Sequence, residues 1–142
     1  MNKWIYNPLT LQAPIGHFER AVRLGDWLFI SGTSALTNVA GKMSERKLVK
    51  GIRAQANETL DNIVRVLESA GGRLSQIYEM RIIVRRREDF AIVDEVLTER
   101  IPGKGFIAHG YQGDLLHPDM ELEIEANAYL GSIETIERVG RL

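Results

Sequence analysis

The stretch from Glu121 to Leu130 alternates strictly between polar and apolar side chains, and this pattern constrains the fold more than any other feature of the chain. Successive side chains of a β-strand point to opposite faces, so the alternation predicts a strand with one buried face. The buried face should pack against helices, and the other face is acidic. The apolar positions are Leu122, Ile124, Ala126, Ala128 and Leu130, and the polar positions are Glu121, Glu123, Glu125, Asn127 and Tyr129.

Two helices are predicted upstream of this strand. From Gly51 to Ala70 apolar residues recur every three or four positions, which is typical of a helix with one buried face. Gly71-Gly72 then supplies a common helix stop. The stretch from Glu88 to Arg100 repeats this periodicity, and Pro102 follows its end.

The remaining apolar stretches predict strands. Phe18 to Thr33 is interpreted as two strands joined by a tight turn at Gly25-Asp26, and further strands are expected at Met80–Val84 and at Phe106–Gln112. The resulting order, β-β-α-β-α-β-β, favours an α+β fold in which a mixed sheet carries both helices on one face. We expect a single domain over residues 1–142.

Composition excludes several classes of function. The chain has no cysteine, which rules out disulfides, thiolate catalysis and cysteine-ligated metals. The formal net charge of −1 gives no basic field, so nucleic acid is not an expected partner despite the run Arg85-Arg86-Arg87. His17, His109 and His117 lack the spacing of metal ligands, and we predict neither a metal nor a cofactor. The first twenty residues contain no long apolar run, so we expect a cytoplasmic protein without membrane association.

Arginines alternate along an earlier predicted strand. Arg81, Arg85 and Arg87 are expected to place positive charge on one face of that strand, while the last strand presents its glutamates. One interpretation is a solvated face with cross-strand ion pairs. The other is that a second subunit covers this face and the charges line an interface.

Six short motifs follow one another along the chain: Ala13-Pro14, Gly16-His17-Phe18, Phe29-Ile30-Ser31-Gly32, Leu60-Asp61-Asn62-Ile63, Asp89-Phe90-Ala91 and Glu123-Ile124-Glu125-Ala126. With these motifs in this order, the chain resembles the RidA/YjgF family over residues 13–130. That resemblance implies a chorismate-mutase-like α+β subunit and a homotrimer whose sheets close into a central barrel. It also implies ligand sites in clefts between subunits and hydrolysis of enamine or imine intermediates to keto acids and ammonia.

The resemblance also implies site residues. Glu123 corresponds to the glutamate that holds the attacking water; its alternative role is an ion pair with an arginine. The family's carboxylate-binding arginine is absent, and its position falls on His109 when counted from Pro118 or on Ala108 when counted from Glu123. His109 is a candidate general base, cationic anchor at low pH or hydrogen-bond donor, and the alternative is a structural role. The other substrate-binding positions are Phe18, Ser31, Gly32, Thr33 and Asp94, with Arg20 or Arg85 as alternative anchors for an anion.

Three functional hypotheses follow. The first is a small-molecule hydrolase of the enamine/imine deaminase type, acting in inter-subunit clefts on a substrate other than a simple 2-imino acid. The second is a trimer that binds a metabolite without catalysis. The third is an endoribonuclease or translation inhibitor, which are other names found in the family.

Overall fold

Six strands form one mixed sheet in the computed structural model, which describes residues 1–141. Their order across the sheet is β1-β2-β3-β6-β4-β5, and every neighbouring pair is antiparallel except β4 and β5, which are parallel. The strands are β1 (Lys3–Tyr6), β2 (Ala21–Leu24), β3 (Trp27–Thr33), β4 (Ile77–Val84), β5 (Ile107–Gln112) and β6 (Leu122–Tyr129).

Two helices, α1 (Ile52–Ser69) and α2 (Phe90–Arg100), cover one face of this sheet. Leu60 and Ile63 of α1 pack in the same core as Leu28 of β3 and Ile124 of β6, and all four are fully buried. Burying each such side chain stabilises the fold by about 1.5–3 kcal/mol. The α+β fold class, the mixed sheet and the placement of both helices on one face are therefore confirmed.

The predicted element boundaries lie within three residues of the observed ones, and β4 begins earlier than predicted, at Ile77 and not at Met80. Gly25 adopts a φ of 58° in the turn between β2 and β3, as the tight-turn prediction requires. α2 begins at Phe90, because Arg87–Asp89 forms a short 3-10 turn ahead of it. β1 was not predicted: its four residues pair with β2 at the sheet edge, and so short a strand leaves no periodic signal.

The two faces of β6 are as the alternation predicted. Leu122, Ile124, Ala126 and Ala128 are all fully buried beneath the helices. On the open face, which is the side of the sheet away from α1 and α2, Arg81 forms ion pairs with Glu125 at 3.1 Å and with Glu79 at 2.9 Å. Cross-strand ion pairing is thus present at Arg81.

The open face also carries large apolar side chains. Trp27 and Phe29 of β3 are 45% and 40% exposed, and Ile107 and Tyr111 of β5 are 62% and 50% exposed. Apolar surface of this extent beside ion pairs is typical of a face that another protein covers.

Within residues 1–141, no helix combines the length and apolar character needed to cross a membrane. The same part of the chain contains no cluster of three or more histidine or acidic side chains arranged to hold a metal ion.

Candidate functional site

Glu123 lies on β6 with its side chain directly above Gly32 of β3. A Cβ atom added at Gly32 would lie 2.5 Å from Glu123 Oε1, so any side chain at this position would displace the carboxylate. The pairing of β3 with β6 shifts register between Ile30 and Thr33, which brings Gly32 under the carboxylate. The absent side chain at Gly32 is therefore what creates space for Glu123.

A small hollow of about 200 Å³ opens beside this carboxylate. We call it the Glu123 hollow. Phe18 and Gly32 line it together with Glu123, so the structure brings three of the predicted site residues into one place. Apolar side chains form most of the remaining wall, and one buried arginine contributes to it. These further lining residues include Ile15, Arg20, Leu36, Leu116 and Met120.

The carboxylate of Glu123 has no partner within residues 1–141: it forms neither a hydrogen bond nor an ion pair there. Burial raises the pKa of Glu123 above its usual range, and the neighbouring charge of Glu125 raises it further. The alternative role as half of an ion pair is not realised in this subunit, because Arg81 bonds Glu125 and Glu79 instead. A partly buried carboxylate of raised pKa is a stronger base than an exposed one.

The hydroxyl groups at the end of β3 are already engaged. Ser31 Oγ donates to the Glu19 carbonyl at 2.6 Å, and Thr33 Oγ1 donates to the Ser31 carbonyl at 2.8 Å. Thr33 is buried, whereas Ser31 borders a shallow groove with Phe18 and Gly32. Ser31 is thus near the candidate site, while Thr33 supports the strand end.

Asp94 lies in a different place. It lines a cavity of about 960 Å³ between the start of α2 and β5, together with Arg87, Phe90, Ala91 and Gly110. We call this the α2–β5 cavity. It shares no lining residue with the Glu123 hollow, so one subunit does not bring Asp94 and Glu123 together.

Ala108 and His109, the two candidates for the position of the missing family arginine, point to opposite faces of β5. Ala108 pairs with Met80, a fully buried residue, so its side chain lies on the helix side. His109 pairs with Arg81 on the open face, where its ring stacks on Tyr111 at a centroid distance of 6.3 Å. His109 shares a face with Glu123, yet β4 lies between their strands.

Arg85 is one of the two arginines predicted as alternative anchors for an anion, and its side chain already donates to backbone carbonyls. Its Nε donates to the Met120 carbonyl at 2.8 Å and its Nη2 to the His117 carbonyl at 2.9 Å, which fixes the loop ahead of β6. Arg20 is buried and borders the Glu123 hollow. Sequence patterns gave no sign of this burial, because arginine is normally exposed.

Residues 10–130 match the family described as Endoribonuclease L-PSP. The chain belongs to this family. A RutC family protein of Pyrococcus horikoshii is 32% identical over 117 residues, covering 82% of this chain and 89% of the relative. A 2-iminobutanoate/2-iminopropanoate deaminase of Dermatophagoides farinae is 29% identical over 96 residues, covering 67% and 70%.

Solved structures of the L-PSP family have the same fold. RidA from an Antarctic Psychrobacter species superposes with a TM-score of 0.73 at 26% identity, covering 84% of this chain and 98% of that one. The resemblance to the RidA/YjgF family is therefore confirmed. Names within the family refer both to ribonuclease and to imine deaminase, so the choice between these chemistries depends on the site.

Proposed function

We propose that this protein hydrolyses the C=N bond of a small enamine or imine, with Glu123 as the general base. The observation that carries the proposal is the unpaired, partly buried carboxylate of Glu123 above Gly32. Glu123 accepts a proton from water as the water oxygen bonds to the imine carbon, and the C=N electron pair moves to nitrogen. Return of that proton to nitrogen gives a carbinolamine. Transfer of its hydroxyl proton to nitrogen, with cleavage of the C–N bond and formation of C=O, then releases ammonia, so that one imine and one water give one carbonyl compound and one ammonia.

The substrate is not a simple 2-imino acid, because this chain lacks the arginine with which its relatives bind the carboxylate of such an acid. A bidentate arginine suits a carboxylate adjacent to the reacting carbon, and β5 carries none. Neither Ala108 nor the single ring of His109 reproduces two parallel N–H donors. The anionic group of the substrate must therefore be held elsewhere or be absent.

The proposed working form is a homotrimer whose ligand clefts lie between subunits. Exposed Trp27, Phe29, Ile107 and Tyr111 on the open face support it, as does the family resemblance. In that assembly, Asp94 and His109 reach the Glu123 hollow of an adjacent subunit, which accounts for their separation within one chain. The same assembly covers the apolar open face.

We expect sedimentation equilibrium at micromolar concentration to give a mass three times that of the 16.0 kDa chain. Replacing Trp27 or Tyr111 with a charged residue should shift the mass toward the monomer, since burying an unpaired charge in an interface is costly. Glu137, in the exposed tail, offers a control position at which a charge change should leave the trimer intact. A wild-type monomer would contradict the assembly.

The proposed activity is tested by ammonia release from a panel of imines, which amine oxidases and amino acid oxidases generate in situ from amines and amino acids. The panel compares 2-iminobutanoate with imines that carry a more distant anionic group and with uncharged imines. Release faster than in buffer for at least one of them is expected, with a keto product in equal amount. Saturable binding of a panel member with no acceleration would instead support the metabolite-binding trimer.

A further inference from the structure

The Glu123 hollow contains a buried positive charge that no acidic side chain neutralises. Arg20 is only 4% exposed and lines this hollow. Its Nη2 donates to the backbone carbonyls of Gln12 at 2.8 Å and Ala13 at 3.2 Å, which holds the side chain in place. Its Nε is buried without a hydrogen-bond acceptor, and within residues 1–141 no carboxylate lies within 4.0 Å of its guanidinium.

A second buried arginine increases the positive charge in this region. Arg46 is 7% exposed and donates to the carbonyls of Gly41 and Leu36, again without a carboxylate partner in the described chain. Burial lowers the pKa of Arg20, and the charge of Arg46 lowers it further. Buried charges are normally paired, because an uncompensated ion in the interior costs several kcal/mol. The counter-charge expected here is an anion from outside the chain.

Glu123 does not supply this counter-charge. It lines the same hollow as Arg20, but the two side chains form no ion pair. A carboxylate bound to a buried arginine would have a lowered pKa, whereas the pKa of Glu123 is raised. The hollow therefore holds a base and a cation that stay apart, with space between them.

We infer that Arg20 binds the anionic group of the ligand inside the Glu123 hollow. The Nε–H group of Arg20 has no acceptor in the described chain, and a planar guanidinium prefers to bind carboxylates. The hollow of about 200 Å³ admits only a compact molecule, so a small carboxylate is the ligand group that fits. The inference rests on the proposed function in one respect, the assignment of Glu123 as the base facing the reacting carbon. The anion-binding site proposed here lies at the start of β2, whereas the position of the family arginine lies on β5.

Calorimetric binding of stable keto acids tests the inference without any turnover. The probes are 2-oxobutanoate and 4-oxopentanoate, which carry a carboxylate at different distances from the carbonyl group, and uncharged 2-butanone. Keto acid binding should weaken by about tenfold or more in Arg20→Gln, because a charge-assisted hydrogen bond is lost. Arg20→Lys should recover part of the affinity, and Arg141→Gln, which removes the same charge from the exposed tail, should bind like wild type.

A measurement on the wild-type chain guards against misfolding of the variants. The Arg20 Nε–H has no acceptor in the chain, so its ¹⁵N resonance should shift when a keto acid binds and stay in place with 2-butanone. An unmoved resonance, or equal keto acid affinity in wild type and a folded Arg20→Gln, would overturn the inference. Absence of imine hydrolysis would instead contradict the proposed function, and these binding results would stand unaffected.

Discussion

Glu123→Gln should lower turnover on any imine substrate of this protein by about 100-fold or more. Glutamine keeps the shape of the side chain and its place above Gly32, but it cannot accept a proton from water. The expected loss is the usual size of a general-base contribution. Initial rates of ammonia release measure it, with Glu137→Gln in the exposed tail as the matched control.

The same variant should stay folded, and its stability has a predictable pH dependence. The pKa of Glu123 is higher in the folded protein than in the unfolded chain. Between these two pKa values, the folded state therefore binds more protons than the unfolded state. The free energy of unfolding of the wild type relative to Glu123→Gln should therefore fall as the pH rises through that window. Urea titrations at several pH values measure this difference.

These measurements separate the catalytic role from a structural one. If an arginine of an adjacent subunit paired with Glu123, the glutamine variant would lose about 1–3 kcal/mol of stability at neutral pH, because a buried donor would be left unpaired. Unchanged turnover in a stable variant would remove Glu123 from the mechanism. It would also remove the main support for calling the protein an enzyme.

Most of the fold could be predicted because the elements that build it are long and periodic. The alternation of β6 and the helical repeat of α1 each identify a buried face from many positions at once. β1 was missed because an edge strand of four residues is stabilised by pairing with β2, and such pairing has no local signature. Tertiary contacts, not intrinsic preference, define that strand.

The candidate site was harder to predict because its parts are far apart in sequence. Phe18, Gly32 and Glu123 meet only through the pairing of β3 with β6, and family resemblance rather than periodicity connected them. The burial of Arg20 depends on the carbonyls of Gln12 and Ala13, which belong to a loop without any pattern. Counting along the sequence from Pro118 or from Glu123 could not locate the position of the family arginine, because the two results, His109 and Ala108, lie on opposite faces of β5.

Gly32→Ala should reduce turnover about as much as removing the base itself. The new Cβ would lie 2.5 Å from Glu123 Oε1 and 3.0 Å from its Cδ, and its three nearest neighbours would all be atoms of this one flexible side chain. The carboxylate must therefore move by a fraction of an ångström to about one ångström, and a misplacement of that size can cost about 100-fold in rate. The fold should tolerate the change, because no backbone atom obstructs it and the φ of Gly32 is not positive.

Gly103→Ala is the matched control, because a Cβ there meets nothing within 4 Å and Gly103 likewise has no positive φ. It should leave both turnover and melting temperature unchanged. In a Glu123→Gln background, Gly32→Ala should cause little further loss, since two changes that act through one group are not additive. Full activity in a folded Gly32→Ala variant would mean that the chemistry does not depend on where Glu123 lies. Independent, additive losses would mean that Gly32 contacts the ligand directly, as the backbone of a glycine in a cleft can do.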